Sequence, residues 1–450
     1  MGYGIGFSKI RNLLNKRAVI IAVLLLFGGS YLGIKFWEAQ EKSTTIVKAA
    51  FESEQVFAQV SANREWVLLG DEFTFRQKSI AFTVELSPEF SAAANSDISL
   101  SYSIPSTEKG GEMLREGTNR FSAEIFVGDL KPGSYTVVAR VESPSGNFIS
   151  QEVGFVVSYP LYVTWTLDWE GYDVKEDYLN AIDAIADKHG IPVTHFFNPR
   201  IYTSSAISKS RADYLTSWVI ERKNSRGDEI GLHMHMFPDM VSAAGVIPHY
   251  EPAWGSTLKD GYDILASNYS YSDTVKMLEW SKKIFSQKGL GTPISFRAGG
   301  WFADEATLQA VQDTGFELDS SGRTKYAFGE NGVAGHWNLS ATTHPYQLNA
   351  KNQNLIGSPT MDLWEFPDNG ADSWAYSTEQ LIDRFQANYS GEPLSDKQVV
   401  TYLSHPEWFW KDKPKIEALF TKLEKSANSA DRGPVIYITL EKAYQIWAGR

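Results

Sequence analysis

The chain has 450 residues, of which 43% are hydrophobic and 21% are charged. This is the composition of an ordinary folded protein, and a chain of this length is expected to form two or three folded units. The formal net charge of −12 provides no basic surface for a nucleic-acid backbone and argues against nucleic acid as a partner. Cysteine is absent, which excludes disulfide scaffolds, thiol nucleophiles and iron–sulfur clusters. A transition metal would therefore have to be held by His, Asp or Glu.

The first predicted element is a membrane-spanning helix. Residues 1–17 form a stub with basic and no acidic residues. Residues 18–37 are the predicted helix, in which an uncharged apolar run over 18–34 is followed by Lys35 and the aromatic pair Phe36-Trp37. Positive charge ahead of the apolar segment places the N-terminus in the cytoplasm. This pattern predicts a single-pass protein of the cell membrane that contacts the lipid bilayer through this helix and exports the rest of its chain. The alternative is a cleaved signal peptide, because residues 28–30 are small and follow the apolar core.

Residues 45–158 have the pattern of short β-strands. Hydrophobic and polar residues alternate in segments such as SIAFTVELS, and Pro132-Gly133 and Ser145-Gly146 mark turns. About seven such strands predict an all-β immunoglobulin-like sandwich. This segment contains no histidine, so we interpret it as a spacer or a substrate-presenting module rather than as a catalytic unit.

Residues 160–450 have a different pattern, in which strands alternate with amphipathic helical segments. All 8 histidines of the chain fall in this part. The alternation predicts an α/β fold with a parallel (β/α)7–8 barrel, whose chemistry lies where the strands end. Candidate strands begin near Tyr162, Val193, Glu229, Ile294, Leu318, Leu363, Val399 and Val435.

Two carboxylates stand at the end of the first of these strands. Asp168 and Glu170 occur in the segment YVTWTLDWEG, two positions apart, which places them on the same side of an extended chain. Such a pair can share a metal ion or divide the roles of base and ligand. Carboxylates at this position are also common as caps of the following helix.

The third strand ends with two histidines in the segment DEIGLHMHMF. His233 and His235 also alternate by two and so point to one side. Imidazoles placed together lose solvation and gain little unless a cation or a carboxylate joins them, so this spacing predicts a pair of metal ligands. The competing interpretation is one packed and one exposed histidine.

Later strand ends add further polar residues. Arg297 occurs in ISFRAGGWF, Asp319 in FELDSSG, Glu365 in LWEFP and His405 in TYLSHPEWFW. Together with the carboxylates and histidines above, they would gather at the same ends of successive strands, which is the convergence expected of an active site. Tryptophans adjoin these motifs and are candidates for a sugar-stacking cleft. The candidate substrate contacts are Trp169, Trp301, Glu365 and Trp408, with Trp254 and Trp410 as further members of the same aromatic group.

The series of motifs resembles the polysaccharide deacetylase family, carbohydrate esterase family four, over residues 160–448. The family has a T-F-D-D-type strand end, a histidine motif after E-I-G, an R-A-G segment, a strand with Asp and an L-x-H strand. The corresponding segments here are TLDWEG, EIGLHMHMF, FRAGGW, LDSS and YLSHP. The resemblance is to a variant subgroup with an H-x-H metal motif.

This resemblance implies roles for individual residues. Asp168 would be the general base, Arg297 would orient it, and His405 would be the general acid, with Asp319 as a further catalytic candidate. The chain departs from the family at two positions. Trp169 stands where the family has a second carboxylate, so Glu170 would be the metal carboxylate. Phe237 stands where the family has a second histidine, so His235 would join His233 as a ligand.

The sequence therefore predicts a metal-dependent deacetylase of an N- or O-acetylated cell-surface polysaccharide, with zinc as the expected divalent ion. Two alternatives remain at this stage. The first is a catalytically silent barrel that binds or scaffolds an envelope polysaccharide. The second is a glycoside hydrolase in which Asp168 and Glu365 form the carboxylate pair.

Overall fold

The computed structural model describes residues 35–50, 55–94, 98–142, 148–255, 260–329 and 332–449. The predicted cytoplasmic stub, residues 1–17, and the predicted membrane helix up to residue 34 lie outside these described residues. Within the described ranges, no helix has both the length and the apolar character needed to cross a bilayer. The membrane anchor therefore stays a prediction.

The chain divides into two compact units. The first contains the described residues up to Glu65 together with Ser79–Val127 and Ser134–Phe155. The second contains Trp66–Lys78, Gly128–Gly133 and the chain from Val156 onward. The second unit thus includes two short segments from the region in which the sequence predicts a sandwich.

The elements up to residue 158 are mostly strands. In chain order they are α1 (residues 35–50), β1 (Phe57–Ala62), β2 (Trp66–Leu68), β3 (Ser79–Leu86), α2 (Pro88–Ala94), β4 (Leu100–Ser103), β5 (Gly110–Glu112), β6 (Leu114–Arg115), β7 (Arg120–Phe126), β8 (Gly133–Glu142) and β9 (Phe148–Ser158). One sheet has the order β1-β3-β7-β6, and in the other β9, β8, β4 and β5 are neighbours, with β2 beyond β9.

The first unit buries one face of its strands. Ile80, Phe82 and Val84 of β3 alternate with more exposed residues and are 0% exposed, as expected of an antiparallel sheet with one packed face. The structure also has the short helix α2 in this region, which the sequence analysis did not predict. Pro88 at its first position and a run of alanines favour a helix there. The immunoglobulin-like topology stays a prediction.

The second unit alternates strands and helices. Its elements after residue 160 are β10 (Leu161–Asp168), α3 (Glu176–His189), β11 (Val193–Phe197), α4 (Lys209–Arg226), β12 (Glu229–Met234), α5 (Pro238–Ala243), α6 (Tyr271–Gln287), β13 (Ser295–Ala298), α7 (Glu305–Asp313), β14 (Leu318–Asp319), β15 (Ala327–Phe328), β16 (Val333–Ala334), β17 (Tyr346–Asn349), β18 (Thr360–Glu365), β19 (Ala371–Asp372), α8 (Thr378–Asn388), β20 (Gln398–Ser404), α9 (Phe409–Leu423), β21 (Val435–Tyr437) and α10 (Leu440–Ala448).

These strands build one 10-stranded sheet in the order β17-β18-β14-β13-β12-β11-β10-β20-β19, with β21 also paired to β10. The strand pairs from β18 to β19 are parallel, and β17 is antiparallel to β18. Every residue of β10 is buried, because both faces of the parallel sheet are covered. The α/β alternation is thus observed.

The sheet is less complete than a full ring of the predicted (β/α)7–8 barrel. The described strands follow an open path whose ends are β17 and β19, so the sheet is a half-barrel. The edge strands explain the difference, because β17 pairs in the antiparallel sense and β19 has only the two residues Ala371–Asp372. The parallel strands still end at one edge, which brings the predicted motifs together there.

Candidate metal centre

Glu170, His233 and His235 converge at the carboxyl ends of β10 and β12. Their ligand atoms all lie within 4.8 Å of one another. Oε2 of Glu170 is 2.5 Å from Nε2 of His235 and 3.7 Å from Nε2 of His233. The two imidazole rings are 4.9 Å apart between centroids. The alternation by two residues therefore does place both histidines on the side of the Glu170 carboxylate.

Backbone carbonyls fix the orientation of both imidazoles. Nδ1 of His233 lies 2.9 Å from the carbonyl oxygen of Arg297, and Nδ1 of His235 lies 2.7 Å from that of Tyr262. A carbonyl oxygen only accepts hydrogen bonds, so both Nδ1 atoms donate. In the neutral rings, both Nε2 atoms then carry lone pairs directed at Glu170. Metal-binding histidines are oriented by the same kind of hydrogen bond.

This arrangement fits a divalent cation. Oε2 of Glu170 and Nε2 of His233 are buried and have no hydrogen-bond partner. Burial lowers the pKa of His233, but Asp168 and Glu170 together raise it. The carboxylates thus stabilise positive charge here, and a cation coordinated by the neutral rings would take the place of a proton. Burial opposes ionisation of Glu170, but His235 and His233 hold its pKa well below the ordinary value, so it is a carboxylate. Two histidines and one carboxylate are a donor set that suits zinc.

Arg297 holds Asp168 beside this centre. Its Nη1 donates to Oδ1 of Asp168 at 2.8 Å and to Oγ1 of Thr166 at 2.7 Å. Its Nε and Nη2 donate to the carbonyl oxygen and Oγ of Ser320, each at 2.7 Å. The arginine is 0% exposed. A guanidinium bound on several sides is rigid, so it fixes the position of the Asp168 carboxylate.

His405 approaches Glu170 from the end of β20. Its Nε2 is 3.4 Å from Oε1 of Glu170, and its Nδ1 is 3.5 Å from Oδ2 of Asp412 and 3.7 Å from Oδ1 of Asp372. Burial lowers the pKa of His405, but Asp372, Asp412 and Glu170 together raise it to about 10. His405 is therefore protonated at neutral pH, as a general acid must be.

A cavity of about 310 Å³ opens above these groups. Six aromatic rings form much of its wall, and such rings can stack on the faces of sugar rings. The lining residues are Asp168, Glu170, His233, His235, Trp254, Tyr262, Gly300, Trp301, Phe328, Asp372, Trp374, Ala375, His405 and Trp408. The predicted substrate residues Trp301 and Trp408 thus lie on the wall, as does Trp254.

The turn after β13 places Trp301 on this wall. Gly300 and Trp301 both have left-handed backbone conformations, with φ of 60° and 58°. A Cβ atom at Gly300 would lie 2.9 Å from the ring of Trp254, so glycine is required there. Left-handed backbone is rare for a residue as large as tryptophan and is typical of functional sites.

Trp169, a predicted substrate contact, lies in the core instead. It is 0% exposed, packs 5.1 Å from the ring of Phe197, and donates from Nε1 to Nδ1 of His195 at 3.4 Å. The reason is strand alternation, since the residue between Asp168 and Glu170 points to the opposite side. Trp410 is 61% exposed and does not line this cavity.

Asp319 and Glu365, predicted as catalytic and substrate-binding residues, also do not line the cavity. They are paired neighbours on β14 and β18. Asp319 accepts hydrogen bonds from the backbone N–H and Oγ of Ser321 at 3.0 and 2.9 Å. Glu365 accepts from the N–H of Gly322 at 2.8 Å. Burial raises the pKa of both carboxyl groups, and Asp319 raises that of Glu365 further.

Sequence reasoning missed several residues that complete the site. Asp372 lies in the two-residue strand β19, which has no periodic pattern to reveal it. Asp412 lies on α9 and accepts a hydrogen bond from the backbone N–H of His405 at 2.9 Å. Glu407 accepts one from the backbone N–H of Glu170 at 2.8 Å and so connects the loops after β20 and β10. Glu407 and Asp412 could have been found only from their closeness to His405 in the sequence, and Asp372 lacks even that signal.

The sequence matches no protein-family model and no curated protein. Solved structures of polysaccharide deacetylases and family 4 carbohydrate esterases do resemble the chain. Peptidoglycan deacetylase PdaC from Bacillus subtilis is 13% identical, with 65% of this chain and 93% of that chain covered and a TM-score of 0.32. A family 4 acetyl xylan esterase from Clostridium thermocellum, in complex with a cobalt ion, is also 13% identical, with 64% and 92% covered and a TM-score of 0.33.

A family 4 carbohydrate esterase from Streptomyces lividans, in complex with acetate, is 11% identical, with 61% of this chain and 91% of that chain covered and a TM-score of 0.31. The structures from Clostridium thermocellum and Streptomyces lividans carry the name of the family that the sequence motifs resemble.

Proposed function

We propose that this protein is a metal-dependent hydrolase that removes acetyl groups from an N- or O-acetylated polysaccharide. The observation that carries the proposal is the convergence of Glu170, His233 and His235, with unpartnered Nε2 and Oε2 atoms, at a cavity. The same cavity holds Asp168, which is fixed by an arginine, and His405, which is protonated.

Each group has a distinct part in the hydrolysis. Glu170, His233 and His235 would hold a divalent ion, for which zinc is our proposal, and the bound ion would polarise the acetyl carbonyl and lower the pKa of water toward about 7. Asp168 accepts a proton from the water that attacks the carbonyl carbon. His405 donates its proton to the nitrogen or oxygen of the sugar as the bond to the acetyl group breaks. The products are acetate and a free amine or hydroxyl on the sugar.

The cavity wall supports a sugar as the substrate. Six aromatic side chains surround the acidic and imidazole groups, and rings of this kind pack on the apolar faces of sugars. The alternative of glycosidic cleavage by Asp168 and Glu365 loses its support, since Glu365 does not line the cavity. We also propose that the protein is exported and membrane-anchored, on the pattern of residues 1–37 alone.

The test is acetate release by the full chain from N-acetylated and O-acetylated sugar oligomers, with and without a chelator. We expect acetate, suppression by the chelator and recovery on addition of Zn²⁺. Asp168→Asn should lower the rate by about 100-fold or more while zinc affinity is retained. The matched control is Asp213→Asn, which alters an exposed carboxylate on α4.

Three outcomes would contradict the proposal. Reducing ends without acetate would identify a glycoside hydrolase. The absence of both bound zinc and acetate would favour the silent scaffold. Acetate release by Asp168→Asn at the rate of the unaltered protein would remove Asp168 from the mechanism.

A further inference from the structure

His235 lies just outside the strand that carries the other histidine. The strand β12 ends at Met234, so His233 belongs to the sheet, whereas His235 is the first residue after it. A side chain at such a position can occupy several rotamers unless other groups confine it. A metal ligand that must be ordered when the ion binds loses conformational entropy, so groups that confine it beforehand contribute to metal affinity.

Tyr262 confines His235 in two ways. Its ring is stacked on the imidazole, with 4.1 Å between the ring centroids and 10° between the ring planes. Its carbonyl oxygen accepts the hydrogen bond from Nδ1 of His235 at 2.7 Å. The backbone of Tyr262 therefore sets the direction of the ring nitrogens, and its side chain covers one face of the ring.

Gly299, in the turn after β13, limits the space around the same imidazole. A Cβ atom at this residue would lie 2.7 Å from Cγ and from Nδ1 of His235, which is too close for a real contact. The rings of Phe237 and Trp254 lie 6.1 and 6.0 Å from the imidazole between centroids. The imidazole is therefore closely surrounded, and Tyr262 contacts it through both its main chain and its side chain.

Tyr262 is itself held to the loop after β10. Its N–H donates to Oδ1 of Asp260 at 3.1 Å, and Oδ2 of Asp260 accepts a hydrogen bond from the hydroxyl of Tyr172 at 2.5 Å. Tyr172 follows Glu170 by two residues. Asp260 therefore connects the loop that carries the Glu170 carboxylate to the residue that covers His235. These hydrogen bonds fix Tyr262 relative to donor atoms from both strands.

We propose that Tyr262, held in place by Asp260 and Tyr172, is a positioning residue for the metal ligand His235. Its ring and its carbonyl keep Nε2 of His235 directed at the ion, so the imidazole is already ordered when the ion binds. This inference rests on the proposed function for the presence of a metal ion. It adds that metal affinity depends on the stacked ring of a residue that supplies no ligand atom.

The experiment measures the Zn²⁺ affinity of the full chain by competition with a chelator, and the visible absorption spectrum of bound Co²⁺, which reports on ligand geometry. Tyr262→Leu keeps the carbonyl but removes the ring, so it should weaken Zn²⁺ binding by about 10-fold or more and alter the Co²⁺ spectrum. Tyr262→Phe keeps the ring and should preserve both. Asp260→Ala removes the hydrogen bonds that hold Tyr262 and should also weaken Zn²⁺ binding. The control is Tyr214→Leu, which alters an exposed tyrosine on α4.

Equal Zn²⁺ affinity of the unaltered protein and folded Tyr262→Leu would overturn the positioning role. A loss in Tyr262→Phe as large as that in Tyr262→Leu would overturn it too, because the ring would then not be the group that matters. If Tyr262→Leu does not fold, unchanged Zn²⁺ affinity in Asp260→Ala overturns the role instead. Failure of acetate release, with weaker Zn²⁺ binding by Tyr262→Leu, would refute the proposed reaction and leave the positioning role standing.

Discussion

Glu170 has two carboxylate oxygens that face different neighbours. Oε2 faces His233, which lies in β12, and His235, which follows it, whereas Oε1 faces His405. Its backbone N–H is held by Glu407. The Glu170 carboxylate thus contacts both the two histidine ligands of the proposed metal and the proposed proton donor. A change in its charge affects metal binding and proton donation alike.

Replacing Glu170 with Gln should therefore weaken metal binding strongly. The amide keeps the shape but removes the negative charge that attracts the cation. We expect zinc affinity to fall by more than about 100-fold, since even the partners of metal ligands are worth 10- to 100-fold. A zinc titration with a competing chelator measures this. Glu279→Gln, at an exposed position of α6, is the control, and unchanged affinity in Glu170→Gln would refute the ligand assignment.

The burial of Trp169 in the core can be tested by its effect on stability. Because the ring is 0% exposed, Trp169→Ala should leave a cavity and lower the free energy of unfolding by about 3–5 kcal/mol. Trp410, 61% exposed, is the matched control, and Trp410→Ala should change stability by less than about 0.5 kcal/mol. Denaturant unfolding of both variants measures the difference. Similar small losses would argue that Trp169 faces solvent.

At the scale of elements, Glu229 joins several elements at the end of the sheet opposite the site. Its carboxylate accepts hydrogen bonds from Oγ of Ser295 on β13 at 2.5 Å and from Oγ1 of Thr194 on β11 at 2.9 Å. It also accepts from the N–H of Glu441 on α10 at 2.7 Å. Burial, the largest effect, raises the pKa of Glu229 from 4.5 to about 7.

This raised pKa predicts a pH-dependent stability. The folded protein binds the proton more tightly than the unfolded chain does, so Glu229 contributes most below pH 4.5, and the contribution is lost as the pH rises toward about 7. Relative to Glu229→Gln, the unaltered protein should lose on the order of 2 kcal/mol of unfolding free energy over this range. Denaturant unfolding at several pH values measures it. A difference independent of pH, as expected for the control Glu279→Gln, would contradict this assignment.

Much of the element order followed from the sequence because the patterns are local. The buried run of β10 and the amphipathic helices have periodicities that a short segment reveals by itself. The open edge of the sheet could not be predicted from the sequence. It depends on the antiparallel pairing of β17 with β18, and the sequences of these two strands do not specify the direction in which they pair. The positions of Asp319 and Glu365 were missed for a similar reason. Their strand ends were predicted correctly, but their side chains do not line the cavity.

At the scale of the whole molecule, metal binding and folding are linked. Glu170 and the two histidines come from strands that are separate in the sequence, so the unfolded chain cannot present this site. A ligand that binds only the folded state stabilises it by mass action. The proposed metal should therefore stabilise the folded state of the unit that contains β10 and β12.

Zinc at 100 times its dissociation constant should stabilise this unit by about 2.7 kcal/mol. Thermal unfolding with zinc and with excess chelator measures the shift. His235→Gln should greatly reduce it, whereas His189→Gln, at the end of α3 and away from the cavity, should retain it. A shift of equal size in His235→Gln would show that zinc binds elsewhere.

The sequence by itself determined which residues lie on one side of a strand end. Alternation by two places Asp168 with Glu170 and His233 with His235, because an extended backbone turns each successive side chain to the opposite face. The same rule, applied to Trp169, places it in the core. These relations need no distant contact, so they can be inferred from a few residues.

Only the tertiary structure decided which residues face one another across the site. Asp372 reaches His405, and the N–H of Asp368 binds the carbonyl oxygen of Gly322, through loops that no short segment specifies. Their positions depend on the register of parallel strands that are far apart in the chain. Non-local packing fixes that register, because each strand can be placed only when its neighbours and the helices covering them are already in place.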